Sequence, residues 1–245
     1  MMPMEIAGFI PQSFSDWPGN ACAVIFTPKC NFRCGFCHNS NLVLTPEKIE
    51  LKNEQKIIKF LEKQKWAIEG VVITGGEPTL QKDLEKFCEK LKKIGLKIKL
   101  DTNGSNPEII KRLVEKKLID FIAMDLKAPF QKYRSVTGVD FSEKVEKTKN
   151  FIIKSGIDHE FRTTFVPGLI EAEDMEEIVE GIKNAKRFCH QQFIPRNCLD
   201  KKFEKIRKPS YAELEKIIKN LKFKGEIRIR SEKGEVIAKC DSSLE

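Results

Sequence analysis

Residues 30–37 read CNFRCGFC, three cysteines spaced C-x3-C-x2-C in a chain of 245 residues that holds eight. Thiolates gathered in one short loop point to metal binding. Zinc is one reading, with His38 directly after Cys37 as the fourth ligand, because a structural zinc site closes on four. Structural zinc ligands usually come as two separated pairs, however, and these lie in a single run. An iron–sulfur cluster is the other reading. A four-iron cluster normally takes four cysteines, so three leave one iron open to a ligand that is not protein. The spacing favours the open cluster and keeps zinc as the alternative. The other cysteines, Cys22, Cys88, Cys189, Cys198 and Cys240, are scattered singly. Cys88 falls on the apolar stripe of a helix, as a small core residue does.

Composition bounds the setting. The chain is 40% hydrophobic and 33% charged, which is ordinary for a folded globular protein. A net charge of +8 could serve RNA, lipid or an acidic partner, but runs such as KIIKFLEKQK interleave glutamate and apolar residues and read as solvated surface. No stretch approaches the ~20 apolar residues of a membrane span. The start, MMPMEIAGFIPQSFSDWPG, lacks the charged-then-apolar layout of a signal peptide. A cytoplasmic protein with reduced thiols is expected, with no membrane partner. No nucleic-acid module is recognisable, so nucleic acid is not an expected partner.

The elements that must position the cysteines follow by periodicity. Apolar runs ACAVIFT, GVVIT, LKIKLD, IDFIAMD, HEFRTTFV, QQFI (from Gln191) and EIRIR read as strands. Between them lie helical patterns, such as Leu80, Leu84, Phe87, Leu91 and Ile94. Asn106-Pro107 reads as a helix start, and Ser210 with Glu213 as a capping box. Repeated strand–helix units imply parallel strands joined by right-handed crossovers. Six or seven units are too few for a full eight-unit barrel. The expected fold is α/β, an open partial (β/α)6-type TIM barrel. One domain over 1–245 is expected, with its core at about 20–223, an N-terminal extension, and EIRIR and EVIAK added at the C-terminal edge. The unusual residues follow the strands: the cysteines, then TGGEP, DTNG, MDLK, VPG and PRN. Parallel strands bring those ends to one face, where barrel active sites form.

Cys30, Cys34, Phe36 and Cys37 in the pattern C-x3-C-x-aromatic-C, with Gly75-Gly76-Glu77-Pro78 after the second strand, resemble the radical S-adenosylmethionine superfamily. The resemblance implies one [4Fe-4S] cluster on the three cysteines, with S-adenosylmethionine chelated to the open iron. Reductive cleavage then yields methionine and a 5′-deoxyadenosyl radical. GFIPQSFSDWPG, Cys37-His38-Asn39, Asp101-Thr102-Asn103-Gly104, Asp125-Leu126-Lys127 and YRSVTG are similar to glycyl radical enzyme activases. The long form of anaerobic ribonucleoside-triphosphate reductase activating protein is most similar. The implied partners are that glycyl radical enzyme and a reductant such as flavodoxin or ferredoxin.

The resemblance also implies roles. Phe36 would lie beside the adenine, and Gly75 and Gly76 would let the backbone approach the methionine moiety. His38, Glu77, Pro78, Thr102 and Asn103 would complete the cofactor site. Lys127 and Arg162 would offer positive charge to the carboxylate or ribose. Asp101, Thr102, Met124 and Asp125 would hold a monovalent cation, since two aspartates on adjacent strand ends repel unless a cation lies between them. Two departures stand out. Asp16-Trp17-Pro18-Gly19 replaces the D-G-P-G of many activases, and Pro195-Arg196-Asn197 replaces a Pro-x-His, with Asn197 as the substitute contact. The rival functions are a radical enzyme for another substrate (a pyruvate formate-lyase-like enzyme, a small molecule or RNA) and a zinc-stabilised binding module.

Overall fold

A computed structural model describes residues 3–238. Cys240 and the last residue of EVIAK lie outside them. Nine strands form one open sheet in sequence order: β1 (Gly8–Ser13), β2 (Cys22–Thr27), β3 (Gly70–Gly75), β4 (Lys97–Thr102), β5 (Phe121–Asp125), β6 (Asp158–Phe165), β7 (Arg187–Gln192), β8 (Glu226–Ser231) and β9 (Gly234–Ala238). β2 through β8 run parallel, while β1 and β9 pair antiparallel at the two edges. Helices cover one side: α1 (Ser40–Leu44), α2 (Glu54–Gln64), α3 (Leu84–Ile94), α4 (Pro107–Glu115), α5 (Tyr133–Thr137), α6 (Ser142–Ser155), α7 (Ala172–Glu180) and α8 (Tyr211–Lys219). No described helix is long and apolar enough to cross a membrane.

The open α/β partial barrel is as the strand–helix alternation predicts, with four local differences. EIRIR joins the parallel set as β8, so that set reaches Ser231 rather than ending near 223. β7 begins at Arg187, four residues before QQFI, because polar Arg187, Cys189 and Gln191 alternate with Phe188 and His190 instead of forming an apolar run. Leu80 belongs to a 3-10 turn ahead of α3 and is 37% exposed, off the helix stripe. The N-terminal extension is a strand despite Pro11, which an edge strand tolerates; the register shifts between Ile10 and Ser13. The Ser210–Glu213 capping box is present in both directions, and Glu171–Asp174 forms a second.

Strand alternation divides the side chains between two faces. Ile25, Ile73, Leu100, Ile122, Phe161 and Phe188 belong to the large core that packs against the helices. The opposite, inward face is apolar on one half, where Trp17, Cys22, Val24, Val72, Phe121 and Ala123 cluster. On the other half it is charged. Lys99 and Asp101 of β4, Asp125 of β5, Glu160 and Arg162 of β6, and Arg230 of β8 face one another as ion pairs. Buried charges of this kind are tolerable only when networked, and they hold a geometry rather than add net stability.

Candidate active site

At the carboxyl ends of β2 to β7 lies a cavity of about 300 Å³, walled on one side by Cys30, Cys34 and Cys37. The cysteine loop is fixed by its own backbone and by two neighbours. The Cys37 N–H donates to the Cys34 carbonyl at 3.0 Å, and the Arg33 N–H to the Thr137 carbonyl at 2.7 Å. The Arg33 guanidinium donates to the Cys30 and Phe32 carbonyls at 2.6 and 2.8 Å. From the other flank, the Leu199 and Asp200 N–H groups donate to the Cys37 and Gly35 carbonyls, each at 2.9 Å. Gly35 lets Phe203 close on the loop, since a Cβ would sit 2.2 Å from its ring as placed.

Burial pushes the Cys30 thiol up to about 11 and the Cys34 thiol up to about 12, so neither ionises near neutral pH without a nearby positive charge. Metal supplies that charge and couples binding to deprotonation. The Phe32 N–H at 3.4 Å and the Asn103 amide at 3.8 Å already point at the Cys30 sulfur, the kind of donor contact that steadies a ligating thiolate. The donor set therefore fits a thiolate-bound metal group. Among the described residues, no three His, Cys, Asp or Glu side chains are placed to close on a single ion. His38 does not complete a zinc site: its Nε2 lies 2.8 Å from the Ile194 carbonyl and its ring stacks on Phe193.

Gly75 and Gly76 border the cavity, but their lack of side chains answers to the chain itself. Gly75 has φ +119°, and a Cβ there would meet the Thr27 N at 2.4 Å; at Gly76 it would meet the Lys29 carbonyl at 1.9 Å. The Gly76 and Glu77 N–H groups donate to Thr27 and Lys29 carbonyls, each at 2.8 Å, so the turn is welded to the chain entering the cysteine loop. Glu77 corrects the expectation of a cofactor contact. It is fully buried and spends both oxygens on protein, accepting from Thr79 N and Oγ1, Thr102 Oγ1 (2.8 Å) and Asn103 N (2.7 Å). Burial raises its pKa while these four donors oppose the rise. Glu77 braces the DTNG turn, and Pro78 is buried beside it, off the cavity wall.

The two aspartates meet a cation, but it is a side chain. Arg162 lies 2.9 Å from Asp101 and 2.7 Å from Asp125, with Lys99 at 3.3 Å from Asp101 and Lys127 at 2.8 Å from Asp125. Burial alone would raise both carboxyls. Arg162, with Lys99 at Asp101 and Lys127 at Asp125, outweighs it and holds both below the usual carboxylate range. For Lys127, burial pulls the pKa down and Asp125 more than restores it. Its ammonium lies 6.0 Å from the Phe36 ring centroid, between the aspartates and the cysteines. Met124, expected at a cation, is fully buried on the helix side, with its methyl against Gly104.

Thr102, Asn103, Lys127, Arg162, Phe36 and His38 all line the cavity. Asn197 does not; it is exposed, with φ +52°, in the loop after β7. The cavity instead takes Thr164 of β6 and Gln191 of β7, together with Asn39, whose amide donates to the Gly75 carbonyl at 2.9 Å. Thr164 follows Arg162 by two residues on β6, and Gln191 follows Cys189 by two on β7, so period-two counting places each on the inward face. Through His38, Thr164 and Gln191 the cavity adjoins a second of about 380 Å³, which runs to Arg196, Arg230 and Glu232.

A Methanocaldococcus jannaschii protein named as a glycyl-radical enzyme activating enzyme is 35% identical over 223 residues, 88% of this chain and 91% of its own. A Sulfurisphaera tokodaii protein named as a GTP 3′,8-cyclase is 33% identical over 141 residues, 55% of this chain and 43% of its own. In fold the chain is similar to Streptococcus suis SuiB bound to precursor peptide SuiA, with TM-score 0.63 and 20% identity over 79% of this chain and 43% of SuiB. It thus spans less than half of SuiB. A domain of pyruvate-formate lyase-activating enzyme from Bacteroides vulgatus gives TM-score 0.51 at 16% identity, over 64% of this chain and 98% of that domain. Residues 24–183 match the Radical SAM superfamily, and to that superfamily the chain belongs.

Proposed function

We propose that this protein is a glycyl radical enzyme activase whose partner is an anaerobic ribonucleoside-triphosphate reductase. Membership of the superfamily makes it an enzyme and implies a [4Fe-4S] cluster and S-adenosylmethionine. The observation that carries the activase reading is the similarity to the M. jannaschii protein over nearly the whole of both chains. The match to the GTP 3′,8-cyclase covers less of each chain. The choice of reductase rests on the resemblance of GFIPQSFSDWPG, DTNG, MDLK and YRSVTG to that activase group. We take 1–245 as one domain working in the cytoplasm, with a flavodoxin- or ferredoxin-like reductant.

On this reading Cys30, Cys34 and Cys37 would hold the cluster, with the cofactor in the adjoining cavity. Together the two groups supply hydrogen-atom abstraction when bound. The chain's residues do the positioning. Glu77 ties Thr102 and Asn103 to the GGEP turn, and Asn39 fixes the Gly75 carbonyl. Phe36 and Lys127 face the cysteine side, while Arg162 occupies the place of a monovalent cation between Asp101 and Asp125. The lateral opening of the incomplete sheet suits a glycine-bearing loop presented by a large protein. The test is anaerobic reconstitution with iron and sulfide, then incubation with S-adenosylmethionine and dithionite. 5′-Deoxyadenosine should accumulate in step with cluster content. Stoichiometric zinc without iron in protein prepared without oxygen would contradict the reading.

A further inference from the structure

The segment that locks the cysteine loop from outside also turns a basic face to solvent. Residues 199–205 are held to the loop by the Leu199 and Asp200 N–H bonds and by Phe203, which packs against Gly35 and lies 6.1 Å, centroid to centroid, from Phe36. The 3-10 turn Lys201–Lys205 projects outward from that anchor, with Lys201, Lys202 and Lys205 exposed and the Lys201 side chain 76% accessible. On the opposite flank Arg33, within the loop, and Arg134 of α5 are also exposed. The acids of the turn are engaged locally. Glu204 accepts from the Cys198 N–H at 3.1 Å and from Lys201 at 2.7 Å, and Asp200 accepts from the Lys202 N–H at 2.9 Å.

These exposed cations lie on the loop and on the two segments bonded to it, and none of them lines the cavity. A cofactor and substrate approaching through the cavity would cover the inner side of the loop, so an electron is delivered from the outer one. We infer that Arg33, Arg134, Lys201, Lys202 and Lys205 form the docking surface for a small acidic protein that carries a low-potential electron. The inference rests on the cluster reading above. In the transfer the carrier is oxidised by one electron and the cluster reduced by one, with no bond made or broken. A charged rim of this kind sets encounter rate and salt dependence more than it sets close packing.

The test uses the full chain reconstituted with iron and sulfide, and an acidic ferredoxin as the probe. Lys202→Glu/Lys205→Glu, and separately Arg134→Glu, should weaken ferredoxin binding by about tenfold or more in low-salt calorimetry and flatten its salt dependence. With ferredoxin as donor, 5′-deoxyadenosine formation by the variants should fall in proportion, while with dithionite it stays at the wild-type rate. Unchanged affinity and ferredoxin-driven rate in both variants would overturn the inference. So would loss of the dithionite-driven rate, which would make the turn a support of the loop rather than a dock. A wild type with normal dithionite activity that neither binds nor uses the ferredoxin would also overturn it. A wild type inert even with dithionite would instead sink the cluster reading.

Discussion

The Arg162 guanidinium on β6 reaches across β5 to Asp101 on β4, with Nη1 at 2.9 Å from Oδ2, while its Nε holds Asp125 at 2.7 Å. One side chain thereby bridges two carboxylates at the base of the cavity, each of which also has a lysine beside it. Removing it leaves both buried charges without that partner. Arg162→Ala should cost about 3–5 kcal/mol in urea unfolding, the usual penalty for breaking a buried pair. Adding Asp101→Asn and Asp125→Asn should recover much of that loss. A loss below ~1 kcal/mol in the single variant would show that the network is solvated rather than buried.

The same geometry bears on salts. Because a guanidinium occupies the place between the aspartates, S-adenosylmethionine binding by the wild type should not depend on which monovalent cation is present. Arg162→Gln should introduce such a dependence. Calorimetric titrations in sodium, potassium and lithium salts compare the two; a strong preference in the wild type would restore a metal ion to this position.

Gly76 closes the GGEP turn on the Lys29 carbonyl, where a Cβ would lie at 1.9 Å, inside any real contact. Gly76→Ala should therefore destabilise the protein before any ligand is added, by roughly 1–3 kcal/mol as an overpacking change. Melting of the metal-free protein reads this directly. Unchanged stability combined with lost cofactor affinity would mean that the glycine serves the ligand instead.

His190 supplies a pH dependence away from the site. It is fully buried between Phe165 and Phe188, and among the described residues neither ring nitrogen has a hydrogen-bond partner. Burial lowers its pKa to about 3, so the native protein keeps it neutral. The unfolded chain binds the proton below about 6.5. The stability from this group is complete above that value and falls with decreasing pH, by up to about 1.4 kcal/mol per unit, until pH approaches the folded value. His190→Leu should flatten the stability profile between about pH 6 and 4. A variant with the wild-type slope would assign the acid sensitivity elsewhere.

The cysteines divide into two sets. Cys30→Ser, Cys34→Ser and Cys37→Ser should each abolish the iron–sulfur absorption of reconstituted protein. Cys88→Ser should leave it intact, because that thiol is fully buried in the helix-side core. Iron and sulfide analysis of the four variants checks this, and a cluster surviving any of the first three changes would remove that residue from the ligand set.

Much of this architecture is legible in the sequence because apolar strands declare themselves. ACAVIFT, GVVIT and IDFIAMD form strands at the expected places, and the groups that follow them meet at one cavity. β7 is obscured because its inward positions are Arg187, Cys189 and Gln191, members of a charged interior rather than an apolar one. Spacing places Asp101, Asp125 and Arg162 near one another, but not the reach of Arg162 across a strand to satisfy both acids. Glu77 shows the same limit. Its place beside two cavity glycines suggests a ligand contact, and only the four donors around its carboxylate reveal a brace.

The most direct test of the activase account is electron paramagnetic resonance of the reconstituted protein mixed with the anaerobic ribonucleoside-triphosphate reductase of its source organism, S-adenosylmethionine and a reductant. The account predicts a protein-based doublet on the reductase that collapses when its glycines carry deuterium at the α-position. Cofactor cleavage to 5′-deoxyadenosine with no such doublet, on that reductase or on any other glycyl radical enzyme of the organism, would contradict it.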